Sequence, residues 1–128
     1  MKQFIFIAFF CLTAVVAVAV EKYTTRYDGV NLDDILKNKR LLKGYTNCLL
    51  DKGPCSPDGT ELKTDLPDAL QNDCAKCTDV QKAGAKKIIN FLIDNESKIW
   101  NDLEAKYDPQ GVYVKQYRNK AHAEGIKI

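Results

Sequence analysis

The sequence predicts an all-α fold of about six short helices held by two disulfides, and three observations carry that reading. Apolar residues recur at spacings of three and four along most of the chain, and no segment alternates with period two for long enough to argue a sheet. Four cysteines also fall close together as Cys-x6-Cys-x18-Cys-x2-Cys, namely Cys48, Cys55, Cys74 and Cys77. Whether such a set is disulfides, metal ligands or a redox site depends on the compartment, because thiols stay reduced in the cytosol and pair in secreted proteins. The N-terminus therefore comes first.

Residues 1–19 have one basic residue, Lys2, then an apolar run interrupted only by Thr13 and closed by the small residues Ala17-Val18-Ala19. This is the pattern of a signal peptide, cut after Ala19 or after Val20. The competing reading is a membrane anchor, but the run is at the short edge of the roughly 20 apolar residues that span a bilayer. Its small-residue exit favours cleavage. Cys11 then leaves with the leader, and four cysteines enter an oxidising, extracellular compartment. Residues 20–128 are enough for one domain with one core. The whole chain has 19 basic and 17 acidic residues; removing Lys2 leaves 18 against 17, a net charge near +1. A nucleic-acid footprint needs a far larger basic excess on one face.

The lead-in, residues 23–30, has no sustained period and turns at Asp28-Gly29. Asn31 is an N-cap, Asp33 and Asp34 sit where the helix dipole favours acids, and Leu32, Ile35 and Leu36 form a stripe. The stripe resumes as Leu41, Leu42, Tyr45, Cys48 and Leu49, with Asn38 marking a break. Asp51-Lys52-Gly53-Pro54 stops this second helix, with Gly53 as its C-cap. Ser56-Pro57 opens a third, whose Leu62, Leu66, Ala69, Leu70 and Cys74 share a face and whose interior Pro67 predicts a kink. Cys74 and Cys77 stand at a helical spacing of about 5 to 6 Å, within disulfide reach. Pairing Cys48 with Cys55 and Cys74 with Cys77 needs no long-range geometry, yet spacing leaves the other two connectivities open. Small rings of that kind would each contribute roughly 2 kcal/mol.

Thr78 and Gln81 form a capping box that opens the most apolar helix. Val80, Ala83, Gly84, Ala85, Ile88, Ile89, Phe91, Leu92 and Ile93 cover more than one stripe, so this helix should be central. Gly84 would admit a neighbour or a ligand to its backbone, and Phe91 points between core face and solvent. Asp94-Asn95 marks a break, and Ile99, Trp100, Leu103 and Tyr107 face inward from the next helix. A turn at Asp108-Pro109-Gln110-Gly111 leads through Val112, Val114 and Tyr117 into a polar C-terminal helix that Gly125 ends.

With these residues in view, a resemblance can be stated. The cysteine frame, Lys22-Tyr23, Tyr27-Asp28, Asn38-Lys39-Arg40-Leu41-Leu42, Cys74-Ala75-Lys76-Cys77-Thr78, Trp100 and Lys106-Tyr107-Asp108-Pro109 together resemble the insect chemosensory proteins, the OS-D or pheromone-binding-like family. The resemblance covers essentially the whole chain after the leader. It implies six helices around an apolar channel, bridges between neighbouring cysteines, and carriage of small lipophilic molecules in extracellular fluid.

On that basis the candidate lining is Ile35, Leu36, Leu42, Tyr45, Leu49, Leu62, Leu66, Leu70, Ile88, Ile89, Leu92, Trp100 and Leu103. Pattern alone would read the same residues as ordinary core; the resemblance is what makes them a lining. Tyr27, Tyr45 and Trp100 each join a large apolar body to a hydrogen-bonding tip, suited either to a gate or to a structural hydrogen bond. The expected partners are a small hydrophobic ligand and, as a candidate, a membrane chemoreceptor, with the protein itself a monomer and no cofactor or nucleic acid bound.

Enzyme readings lack material. The sole histidine, His122, lies in the polar tail, so neither a histidine triad nor a histidine-rich metal site can be assembled. Cys74-x2-Cys77 lacks the βαβ context of a thiol oxidoreductase, and a four-cysteine zinc site does not suit a secreted chain. Two other classes compete with a carrier. A saposin-like membrane-active protein usually carries three bridges, where two are possible here, and a charge near +1 attracts anionic membranes weakly. An extracellular developmental or signalling factor with an incidental cavity has the same sequence features as a carrier.

Overall fold

The computed structural model describes residues 21–128, so the leader and its cleavage site lie outside the described residues. Among the described residues six α-helices follow one another: α1 (Leu32–Lys37), α2 (Lys39–Leu49), α3 (Pro57–Asn72), α4 (Asp79–Asn95), α5 (Ser97–Tyr107) and α6 (Val112–Ala123). Among the described residues there is no strand. Both disulfides are local: Cys48 joins Cys55 with Cα atoms 4.9 Å apart, and Cys74 joins Cys77 at 5.0 Å.

The caps explain why the helices start where they do. The Asn31 side chain accepts from Asp34 N at 3.2 Å, and Asn38 both ends α1 and opens α2, accepting from Arg40 N at 3.0 Å and Leu41 N at 3.2 Å. Ser56 Oγ accepts from Gly59 N at the start of α3. Thr78 and Gln81 form the reciprocal box that the sequence predicts, with Gln81 N donating to Thr78 Oγ1 and Thr78 N to Gln81 Oε1. Each such cap contributes about 1 kcal/mol. At α6 the cap comes from further back: Gly111 takes the left-handed conformation, φ 67°, and the Asp108 carboxylate accepts from Tyr113 N and Val114 N.

Two helix ends differ from expectation. Gly53 is not the left-handed residue after α2; Asp51 is, at φ 61°. Lys52 N then donates to Asn47 O and Asp51 N to Cys48 O, the two bonds of a Schellman motif. Aspartate tolerates this conformation better than most side chains, and Lys106 and Lys63 pair with its carboxylate, holding it down to about 2. Cys74, expected on the last turn of α3, lies beyond it. Asp73 and Cys74 are both left-handed, at φ 55° and 59°, so the second bridge closes a turn rather than a helical step. Pro67 is accommodated inside α3, which runs through it as one element.

Packing builds outward from α4. A Cβ at Gly84 would stand 2.9 Å from Leu32 Cδ1, so the bare backbone of α4 at this point is where the Leu32 side chain of α1 rests. The lead-in is tied to the same helix by Gln81 Nε2, which donates to Thr24 O at 2.8 Å and Asp28 Oδ1 at 3.1 Å. Asn90 holds the C-terminal tail, donating to Gly125 O and accepting from Lys127 N. α5 packs along α4, and α2 along α1 and α3. Val80 is 55% exposed and takes no part in this core, although its apolar character had placed it there. α5 also closes onto α2, whose last turn presents Leu49 O to Lys106 Nζ at 2.6 Å and Tyr107 OH at 2.7 Å. A cation at that position complements the helix dipole.

Candidate ligand-binding site

Where α1, α2, α4 and α5 meet, Leu36, Leu42 and Leu92 form the buried centre, and Ile88, Phe91, Ile99, Trp100 and Leu103 pack against it while only half-buried. Helical geometry produces this arrangement: Ile88 and Leu92 are one turn apart on α4, and Ile99, Trp100 and Leu103 share the facing side of α5. Among the described residues the buried apolar set is small. Besides the three leucines it holds Leu49, Ala121 and two bridged cysteines, Cys48 and Cys77. Much large apolar surface therefore remains only partly covered by the protein itself.

The predicted lining residues divide accordingly. Leu36, Leu42, Leu49 and Leu92 are buried, whereas Ile35, Leu66, Leu70, Ile88, Ile89, Trp100 and Leu103 are half-buried. Leu62 is 40% exposed and stands apart from the cluster. Two members of the cluster fell outside the predicted set. From the sequence Ile99 belongs only to a helix face, and Phe91 points between core and solvent. Each precedes by one residue a position that was chosen, and their apolar size was the available signal.

Of the predicted aromatic tips, that of Tyr45 is occupied by the protein. Tyr45 OH donates to the Asp58 carboxylate, which Ser56 also bonds. Burial and then Asp58 push the Tyr45 hydroxyl pKa up. Tyr45 thus makes the structural hydrogen bond that was one of its two readings. Tyr23 OH donates to Asp68 at 2.6 Å. Tyr27 is half-buried, with the Arg26 guanidinium 5.6 Å from its ring centre. Two open depressions mark the surface. One of about 360 Å³ is lined by Asn38, Arg40, Leu41, Gly44, Tyr45, Pro54 and Ser56, and one of about 270 Å³ lies between Tyr107 and Tyr113. Of the predicted lining residues only Tyr45 borders either.

One carboxylate is out of its ordinary range. Burial, and then Glu61 one turn earlier on α3, push Asp65 up to about 6. Because this folded value lies above the unfolded one, the folded protein holds that proton more tightly. The associated stability is complete below the ordinary carboxylate pKa of about 4 and is lost as pH rises through about 6. Asp65→Asn should accordingly melt higher than the parent at neutral pH, with the gap closing in acid. Melting curves that stay parallel across that window would remove Asp65 as the source.

The model of the insect pheromone-binding family A10/OS-D matches residues 23–115. The chain belongs to that family. Ejaculatory bulb-specific protein 3 of Drosophila melanogaster is 46% identical to this OS-D chain over 122 residues, covering 95% of it and 97% of the relative. A solved chemosensory protein in complex with bromo-dodecanol is 54% identical, covers 77% of this chain and 99% of its own, and superposes with a TM-score of 0.72. The antennal chemosensory protein A6 of the moth Mamestra brassicae, also 54% identical, covers 77% and 97% with a TM-score of 0.63. The all-α architecture and the two neighbouring bridges are thus those of an OS-D protein. Among the described residues no helix is long and apolar enough to cross a membrane, and no three of His, Cys, Asp and Glu gather as a metal site.

Proposed function

We propose that this OS-D protein is a secreted carrier that takes a small lipophilic molecule between its helices without altering it chemically. The observation that carries the reading is the bromo-dodecanol complex of a relative matching nearly its full length. The half-buried apolar ring of Ile88, Phe91, Ile99, Trp100 and Leu103 supports it, because a flexible chain could cover what the protein leaves uncovered. Residues 1–19 would serve as the export signal and residues 20–128 as the mature monomer. A membrane chemoreceptor is a downstream partner consistent with this role.

Trp100 offers the direct test, since it is the only tryptophan and half-buried beside the leucine core. Titration with dodecanol should shift its emission to the blue and change its intensity as water leaves the indole. The dissociation constant from that titration should agree with one from displacement of a fluorescent apolar probe. Unchanged emission alongside displacement of the probe would put Trp100 outside the site.

A further inference from the structure

We propose that Asn95 is an N-glycosylation site, receiving an oligosaccharide on its side-chain amide as the chain passes through the secretory pathway. Of the eight asparagines in the chain, Asn95 alone is followed two places later by serine or threonine, as Asn95-Glu96-Ser97, and the residue between is not proline. That is the acceptor pattern of this modification in exported proteins. The group added is bulky and hydrated, so the pattern has meaning only at the surface of the folded product.

The fold provides that surface. Asn95 is the last residue of α4, Glu96 breaks the helix at φ −139°, and Ser97 is the first residue of α5; Asn95 and Ser97 are both exposed. The Asn95 amide makes one hydrogen bond among the described residues, Nδ2 donating to Phe91 O at 3.1 Å within its own helix. A side-chain amide nitrogen has two hydrogens. Replacing one of them by a sugar leaves the other for Phe91, so the modification displaces nothing. Ser97 differs from the other serine of the chain. Ser56 Oγ caps α3 by accepting from Gly59 N, whereas α5 begins with no side-chain cap and Ser97 stands one position too late to supply one. Its hydroxyl is therefore not accounted for by helix capping.

The reaction is a glycosyl transfer from a lipid-pyrophosphate-linked oligosaccharide. The bond from sugar C1 to the pyrophosphate oxygen breaks and a bond from C1 to Asn95 Nδ2 forms. The pyrophosphate leaves with the electron pair, and the proton shed by the amide nitrogen balances its charge. Asn95 lies one turn beyond Phe91, so the carbohydrate would stand beside the half-buried ring, about 20 Å along α4 from Gln81, which holds the lead-in. The inference rests on the export reading given above, because donor and transferase meet only chains that enter the secretory pathway.

Expression of the full chain with its leader in an insect cell line, followed by recovery from the medium, tests it. Trypsin releases residues 88–98, which include Asn95. Mass spectrometry should find this peptide extended by hexosamine and hexose. Enzymatic removal of the glycan in heavy-oxygen water should leave the label at position 95. Asn95→Gln and Ser97→Ala should each abolish the shift in gel mobility, Ser97→Thr should keep it, and Asn101→Gln, which alters a neighbouring exposed asparagine, should leave it unchanged. The peptide measurement on the parent decides the matter even where a variant is not exported. Protein in the medium with residues 88–98 wholly unmodified would overturn the site while leaving export standing. Protein held inside the cells, with its leader attached and no carbohydrate, would overturn both. Carbohydrate that persists in Ser97→Ala would overturn the assignment to this acceptor.

Discussion

Decanol should bind this protein more tightly than hexanol by a factor approaching two hundred, since each buried methylene is worth about 0.8 kcal/mol and a tenfold change in affinity about 1.4 kcal/mol. The expectation rests on the half-buried side chains of Ile88, Trp100 and Leu103, which leave apolar surface for a ligand to cover. Ordering of the ligand chain takes back part of the gain, so the slope per carbon should fall somewhat below the transfer value. Affinity should stop rising once the space between the helices is filled. Displacement of a fluorescent apolar probe by a graded alcohol series measures the slope and the plateau together. If hexanol and decanol displace the probe equally well, these side chains are plain core and the carrier reading falls.

The sequence was most informative where the determining interactions are local. Asn31, Ser56 and Thr78 each cap a helix within three residues of themselves, so chemistry and spacing were enough to locate them, and Asn38, legible only as a break, proves to be a cap of the same local kind. Helix ends were harder. After α2 the obvious glycine, Gly53, lost the left-handed position to Asp51, whose carboxylate is held by Lys106 from α5 and Lys63 from α3. Those partners are distant in sequence and no local pattern announces them. Cys74 was displaced from α3 for a related reason: two successive left-handed residues end the helix before it, and nothing in the Cys-x2-Cys spacing distinguishes a turn from a helical step.

The candidate site was legible only as a pool of apolar residues. Period 3.6 tells which side chains share a helix face, but not how completely a neighbouring helix covers them. Leu62 and Leu66 are one turn apart on α3, yet one is exposed and the other half-buried. Phe91 and Leu92 are adjacent, and both reach the same cluster because α4 is approached by α1 on one side and α5 on another. The distinction that matters for function, between buried core and half-buried lining, is set by tertiary packing.

That distinction leads to opposite outcomes for two substitutions one turn apart. Leu92 is 2% exposed among Leu36 and Leu42, so Leu92→Ala leaves a cavity the core cannot refill. Such a change costs about 3 kcal/mol, which in a domain of this size lowers the melting temperature by about 15 °C. Ile88 is half-buried at the edge of the same cluster, so Ile88→Ala removes less protein contact and should cost roughly 1 kcal/mol of stability. Where a bound chain covers Ile88, truncation also removes about two methylenes' worth of ligand contact, which corresponds to about tenfold in dodecanol affinity. Leu92→Ala, assayed at a temperature where it is folded, should keep affinity within a few-fold of the parent. The measurements are thermal melts and probe displacement on both variants. The opposite ordering, with Leu92→Ala losing more affinity than Ile88→Ala, would mean that the ligand lies against the three-leucine centre and that the half-buried ring is not its lining.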